Sequence, residues 1–179
     1  MNKKKLISTV LAICCVPLLA GCSSADASSS SAASAGCKQA LRTAIDASSA
    51  AADSSKAFAG VLSELASAPA SEFDRVADAS HTSAADNQAV SAAYEALSGL
   101  STPEFSDAAS TISAQTADAA SALAAFGDAS AAYAILESNE TTDNMNSTAA
   151  DALDAVGLVE DSLSGMTSLS GGDFEGACN

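Results

Sequence analysis

Apolar and small side chains recur at alternating three- and four-residue steps in four successive stretches of this 179-residue chain. Such steps place the side chains on one face of an α-helix, whereas a half-buried strand would alternate at every second residue. The stretches lie within residues 37–67, 72–99, 103–138 and 144–169, and we find no strand-like alternation of comparable length. The pattern therefore predicts an all-α domain of four amphipathic helices.

The predicted core consists of these recurring side chains, which form one stripe on each helix. The first two stripes are Leu41, Ile45, Ser48, Ala52, Ser55, Phe58, Leu62 and Leu65, and then Phe73, Val76, Ala77, Ser80, Ala84, Asn87, Val90, Tyr94 and Leu97. The last two are Phe105, Ala109, Ile112, Thr116, Ala119, Leu123, Phe126, Ser130, Tyr133 and Leu136, and then Met145, Ala149, Ala152, Val156, Val159, Leu163, Met166 and Leu169. Because much of this set is alanine and serine, we expect the core to bury little area per residue.

Local sequence signals mark the expected helix ends. Ser71 followed by Asp74 resembles an N-cap with an acidic residue at N3, and Gly99 is placed as a C-cap. Thr102 precedes a proline and is placed as the N-cap of the third helix. Together with a polar turn at residues 138–143, these short connections predict an antiparallel up-down-up-down four-helix bundle.

The beginning of the chain carries a different signal. Lysines at positions 3–5 precede an apolar stretch at residues 6–20, which is shorter than the roughly 20 residues that a membrane-spanning helix needs. The sequence Leu19-Ala20-Gly21-Cys22 at its end resembles the lipobox of bacterial lipoproteins. This resemblance implies cleavage before Cys22 and attachment of a lipid, with acyl chains such as palmitate, to the Cys22 sulfur.

The resemblance divides the chain into three parts. Residues 1–21 are the expected cleaved signal peptide, and residues 22–36 are the lipidated cysteine with a flexible Ser/Ala tether. Residues 37–179 are then an acidic four-helix domain. A lipid at Cys22 would anchor this domain to the extracytoplasmic face of the bacterial cell membrane.

Removal of the signal also changes the cysteine count. Of the five cysteines, Cys14 and Cys15 leave with the signal and Cys22 carries the lipid, which leaves Cys37 and Cys178. Two cysteines that remain outside the cytoplasm are expected to form one disulfide. An antiparallel bundle of four helices places the start of the first helix and the end of the last at one end. We therefore predict a Cys37–Cys178 bond that closes the bundle.

The charge of the chain limits its partners. After cleavage, four basic residues remain against 22 acidic residues, which gives a net charge of −18. This charge repels nucleic-acid phosphates and anionic lipid headgroups, so we expect no nucleic-acid partner and a domain that stands off the membrane. Two interpretations stay open: the charge keeps an alanine-rich domain soluble, or it attracts a basic protein or cations.

The sequence gives little support for catalysis or a cofactor. His81 is the only histidine, and with Asp78 three residues before it we expect a solvated surface pair and no metal site. No carboxylate occupies any of the four stripes, and the haem-attachment, nucleophile-elbow and phosphate-loop motifs are absent. We expect no cofactor, no metal and no enzymatic activity.

Three polar residues are candidates for a core or pocket role. Asn87 and Gln115 each lie 14 residues from Ser101, in the turn between helices 2 and 3, so they should face each other. One interpretation is a buried polar pair that fixes the helix register. The other is that Asn87, Gln115 and Tyr94 line a small ligand pocket.

The sequence accordingly favours a lipoprotein that displays a non-catalytic acidic binding module outside the cell membrane, with a basic or envelope protein as its partner. The alternatives are a protein that captures a ligand or cation for a transporter, and a passive spacer of the envelope. A pocket at the three polar residues would favour capture. A solid core with an exposed apolar patch would favour protein binding.

Overall fold

The computed structural model of the chain describes residues 32–65 and 68–169 together with Cys178. Four α-helices follow one another, with a short 3₁₀ helix, Ala70–Phe73, after the first. They are α1 (Ala32–Glu64), α2 (Asp74–Ser98), α3 (Pro103–Ile135) and α4 (Asn139–Leu169). The described residues contain no β-strand, so the predicted all-α class and its four helices are confirmed. The expected signal peptide, Cys22 and residues 22–31 of the tether lie outside the described residues.

Helix α1 begins at Ala32, five residues before the expected start at residue 37. It therefore takes in residues 32–36, which the sequence analysis assigned to the tether. Three of these five residues are alanine, the residue with the highest helix propensity. Extending an existing helix by one residue also needs no new nucleus. The boundary of the tether is corrected to residue 31.

Helix α4 begins at Asn139, so the predicted polar turn at residues 138–143 is wrong beyond Ser138. A reciprocal pair of hydrogen bonds explains the early start. The Thr141 backbone N–H donates to the Ser138 hydroxyl at 3.2 Å, and the Ser138 backbone N–H donates to the Thr141 hydroxyl at 3.0 Å. This is a capping box in which Thr takes the place of the usual Glu or Gln.

The start of α2 also differs from the prediction. Ser71 lies within the 3₁₀ helix and makes no N-cap, because α2 begins only at Asp74, directly after Phe73. Phe73 is buried, and its ring packs edge-on against the Tyr133 ring of α3 with the ring centroids 5.0 Å apart. The aromatic contact therefore sets the path of the chain into α2. The predicted C-cap at Gly99 is confirmed.

The buried apolar side chains divide into two clusters. The Tyr133 cluster is formed mostly by the second halves of α1 and α3 and the first halves of α2 and α4, and its largest members are Phe58, Leu62, Leu65, Phe73, Leu123, Phe126, Tyr133 and Met145. The Tyr94 cluster is formed mostly by the first halves of α1 and α3 and the second half of α2, and its largest members are Leu41, Val90, Tyr94, Leu97, Phe105 and Ile112. Alanine fills most of the remaining buried positions, as the composition predicts.

Hydrogen bonds between helices define how neighbours align. Arg75 of α2 donates to Glu64 of α1 at 3.0 Å, near the turn that joins the two helices. Ser80 of α2 donates to the Leu123 carbonyl of α3 at 2.7 Å. The close packing lies mainly between helices that are consecutive in the chain.

The predicted Cys37–Cys178 disulfide is present, with the two Cα atoms 5.6 Å apart and 141 positions between the residues in the chain. Both cysteines are buried in the Tyr94 cluster. The bond therefore joins the beginning of α1 to Cys178 within the Tyr94 cluster.

Candidate functional site

Polar side chains cross the middle of the domain between the two apolar clusters. We define this polar belt as Ser55, Ser83, Asn87, Gln115 and Thr116. The hydroxyls of Ser55 and Ser83 lie 3.2 Å apart and connect α1 with α2. Ser83 and Thr116 are fully buried. Because these groups bond to one another or to backbone carbonyls, most of the belt is satisfied within the fold.

Asn87 and Gln115, the two candidates of the predicted pair, are not joined by a hydrogen bond. Asn87 is buried, and its Nδ2 donates to the Ser83 carbonyl of its own helix at 2.9 Å. Gln115 is partly buried, and its Oε1 is shielded from solvent and has no hydrogen-bond partner. A buried amide oxygen without a donor costs roughly 1–3 kcal/mol. Gln115 is thus the residue of the polar belt whose side-chain oxygen can still accept a hydrogen bond from a ligand.

Tyr94, the third candidate, belongs to the apolar cluster at the disulfide end and not to the polar belt. Its side chain is 3% exposed. Burial raises the pKa of the Tyr94 hydroxyl above its ordinary value of 10.0. A hydrogen bond with Ser48 of α1 lowers the pKa, but by less than burial raises it. The residue therefore serves as a core side chain whose hydroxyl also joins α2 to α1.

The raised pKa of Tyr94 predicts a specific loss of stability in alkali. Above about pH 10 the unfolded chain releases this proton before the folded chain does, so the free energy of unfolding falls as pH rises. We expect Tyr94→Phe to have a shallower decline than the native chain in urea unfolding at pH 8, 10 and 11. Parallel declines of the two proteins over this range would contradict a buried, protonated Tyr94.

The only histidine of the chain lies at the surface beside α3. His81 Nε2 is 3.1 Å from Asp128 Oδ1, and the His81 ring lies close against Gly127, where a Cβ atom would meet it at 2.5 Å. The side chains of His81 and Asp128 are 45% and 82% exposed. The sequence suggested Asp78, on the same helix, as the partner of His81. Asp128 was not predicted, since Asp128 lies 47 positions from His81 in the chain. A pair this exposed contributes little to stability.

The carboxylates of the described residues lie outside the core. The buried polar residues are Ser, Thr and Asn, and none is Asp or Glu. The described residues contain no group of three or more His, Cys, Asp and Glu residues that could hold a metal ion. Within this part of the chain, no helix has the length and apolarity needed to cross a membrane. The four described helices therefore present a broadly acidic surface.

Two large apolar residues stand out on that surface. Ile135 is 85% exposed and Leu136 is 63% exposed, at the connection between α3 and α4. We call these two residues the apolar tip. Leu136 was predicted to be a core residue, but α3 ends at Ile135 and the backbone of Leu136 is extended, with φ −143° and ψ 106°. The change in direction takes the Leu136 side chain off the buried stripe.

Several exposed acidic residues follow the apolar tip closely in the chain. Glu137 follows it directly and accepts a hydrogen bond from the Tyr133 hydroxyl at 2.8 Å. Glu140 and Asp143 lie in the first turns of α4, and Glu72 lies next to Phe73, which contacts Tyr133. The nearby Arg75 is already paired with Glu64. The tip therefore combines apolar side chains with neighbouring carboxylates that form no ion pair within the described part of the chain.

Comparisons with protein-family models, with curated proteins and with solved structures return no match for this chain.

Proposed function

We propose that this chain is a bacterial lipoprotein, anchored through a lipid on Cys22, whose acidic helical domain is a non-catalytic interaction module outside the cell membrane. The observation that carries the proposal is the Cys37–Cys178 bond. Disulfides persist in oxidising compartments and are rare in the cytosol. This agrees with the export that the lipobox-like sequence at Leu19 to Cys22 implies.

The proposed arrangement of the domain is an antiparallel up-down-up-down bundle. Short connections between successive helices support it, as do cross-helix hydrogen bonds that join α1 to α2 near their common turn. In this arrangement the disulfide end faces the anchor. The opposite end, with the Tyr133 cluster and the apolar tip, is then directed away from the membrane, about 40 Å along α1 at 1.5 Å per residue.

The surface of the domain supports an interaction role over catalysis. Its carboxylates are exposed, and the described residues pair only a few of them with basic or polar side chains. Unpaired negative charge accelerates association with basic partners and repels acidic ones. An exposed apolar pair beside such charge is typical of a protein-binding surface.

The anchor is tested by Cys22→Ser. A lipoprotein signal needs the cysteine both for acylation and for cleavage before it. We therefore expect the variant to lose both acylation and cleavage before residue 22, as shown by labelled palmitate and by the mass of its N-terminal fragment. Cys37→Ser is the matched control, since it removes a cysteine that carries no lipid. Equal acylation of native and Cys22→Ser chains, measured by labelled palmitate, would contradict the proposal.

Capture of a small ligand for a transporter is the second candidate, and one observation favours it. The buried Oε1 of Gln115 has no hydrogen-bond partner and could accept a hydrogen bond from a ligand. Thermal unfolding with amino acids, sugars and divalent cations tests this role. A compound that stabilises the native chain but not Gln115→Leu would support capture, because the variant lacks the acceptor. Equal melting temperatures with every compound would leave protein binding as the proposal.

A further inference from the structure

We propose that the apolar tip is the docking site for a partner protein segment in which basic side chains flank an apolar one. The inference deepens the proposed interaction role, on which it rests, by assigning it a place and a partner chemistry. Most large apolar residues of the described chain are buried, and four are exposed: Leu100, Ile135, Leu136 and Leu158. Two of these four are adjacent and lie on a single connection. Exposed leucines scattered singly need no explanation, whereas two adjacent exposed apolar side chains form a contiguous patch, the kind of surface on which interaction sites are found.

The surroundings of the tip select the partner. Glu137, Glu140 and Asp143 are exposed and lie within seven residues of Leu136 in the chain, and Arg75 is engaged with Glu64. A second copy of this chain would bring the same carboxylates face to face, which costs free energy. Anionic headgroups are repelled for the same reason. A partner segment with lysine or arginine residues on both sides of an apolar side chain matches both the apolar pair and the carboxylates of this surface.

The local structure holds the tip in place. The Tyr133 hydroxyl donates to Glu137, and the capping box of Ser138 and Thr141 fixes the first turn of α4 immediately after it. Thr141 also donates to the Leu136 carbonyl at 2.7 Å. Hydrogen bonds on both sides of the connection restrict Ile135 and Leu136 before a partner binds. Such restriction lowers the entropy that binding would otherwise lose.

The test uses the full chain in nanodiscs of zwitterionic lipid and three synthetic helical peptides as probes. One peptide combines Lys and Leu, a second Lys and Ser, and a third Glu and Leu. We expect the Lys/Leu peptide to bind most tightly in fluorescence anisotropy. Ile135→Ser with Leu136→Ser should weaken it about tenfold or more, since truncating an apolar anchor has this effect at protein interfaces. The matched control, Leu100→Ser with Leu158→Ser, should change the affinity by less than about twofold.

A second pair of variants separates local from overall charge. Glu140→Gln with Asp143→Asn removes two charges of α4 next to the tip. The control, Asp107→Asn with Asp118→Asn, removes two exposed charges of α3 that are distant from the tip in the chain. The tip variant should weaken Lys/Leu binding more than its control at equal salt. Equal losses in the two variants, or equal binding of the Lys/Ser peptide, would overturn the proposal in favour of diffuse attraction.

Two other occupants give distinct results. Adsorption of the chain to neutral vesicles that is abolished by Ile135→Ser with Leu136→Ser would identify a lipid contact. A concentration-dependent dimer abolished by the same change would identify self-association, and either result overturns the proposal. If Cys22 proves not to be lipidated, the chain remains in solution and the same titrations apply there. Failure of the anchor and failure of the docking site are thus distinguishable.

Discussion

Loss of the Cys37–Cys178 bond should lower the free energy of unfolding by about 4–5 kcal/mol, because the bond closes a loop across 141 positions of the chain. For a domain of this size, that corresponds to a fall in the melting temperature of about 10 °C. The effect is large against a total stability on the order of 5–15 kcal/mol. It should be measured by thermal unfolding of the native chain with and without reductant.

Beside this global loss, reduction should increase local opening most in the first half of α1. The largest side chain that this half contributes to the Tyr94 cluster is Leu41, and the others are Cys37, Ala44 and Ala51. The second half contributes Phe58, Leu62 and Leu65 to the Tyr133 cluster and so has stronger packing of its own. On reduction, hydrogen exchange should therefore rise more at residues 37–51 than at residues 58–65.

The matched variant for this experiment is Cys37→Ala with Cys178→Ala. Alanine keeps the buried sites apolar, whereas serine would add a buried hydroxyl. The double variant and the reduced native chain should agree in melting temperature within a few degrees. A reduced chain as stable as the oxidised one would show that the bond does not constrain the unfolded chain as described.

Tyr133→Ala should cost about 3–5 kcal/mol, as truncation of a large buried aromatic residue does elsewhere. Tyr133 is fully buried, contacts the Phe73 ring and donates a hydrogen bond to Glu137. Few other side chains in this alanine-rich core are as large, so the neighbours cannot easily fill the space. Urea unfolding with the disulfide intact measures the loss.

Two further substitutions separate packing from other effects. Tyr133→Phe keeps the ring and removes the hydroxyl, so we expect a loss of about 1 kcal/mol. Ile135 lies two positions after Tyr133 on the same helix, and its side chain is 85% exposed. Ile135→Ala should therefore change the free energy of unfolding by less than about 0.5 kcal/mol. Equal losses for Tyr133→Ala and Ile135→Ala would contradict the assignment of the core.

The sequence predicted the buried faces of α2 and α3 well because helical periodicity is a local property. On α1 the prediction was partly wrong, since Ile45, Ser48, Ala52 and Ser55 are only partly buried and Ala44 and Ala51 are buried instead. All nine members of the second stripe, from Phe73 to Leu97, are buried, and so are the members of the third stripe up to Tyr133. The side chains at the end of the fourth stripe, Leu163, Met166 and Leu169, lie outside those that the structure describes. The disulfide was also predictable, since Cys37 and Cys178 are the two cysteines outside the expected signal peptide and lipidation site.

Prediction failed where non-local contacts or exact helix ends decide the outcome. Leu136 fits the period of its stripe but follows the last helical residue of α3, so it is exposed. The Ser138–Thr141 capping box was not recognised because threonine replaces the usual acidic or amide residue. Asp128 meets His81 only through the packing of α2 on α3, which the spacing of residues within one helix does not reveal.

The most direct test of this account is the mass of one peptide complex from the chain isolated from its own cell envelope without reductant. Trypsin cuts after Lys38 and a glutamate-specific protease after Glu175, which leaves residues 22–38 and 176–179 as the fragments that carry Cys22, Cys37 and Cys178. We predict a single species in which residues 22–38 carry acyl chains and are joined to residues 176–179, with reduction releasing the short fragment. A fragment of residues 6–38 without lipid and with a free Cys37 thiol would contradict both the anchor and the closed domain.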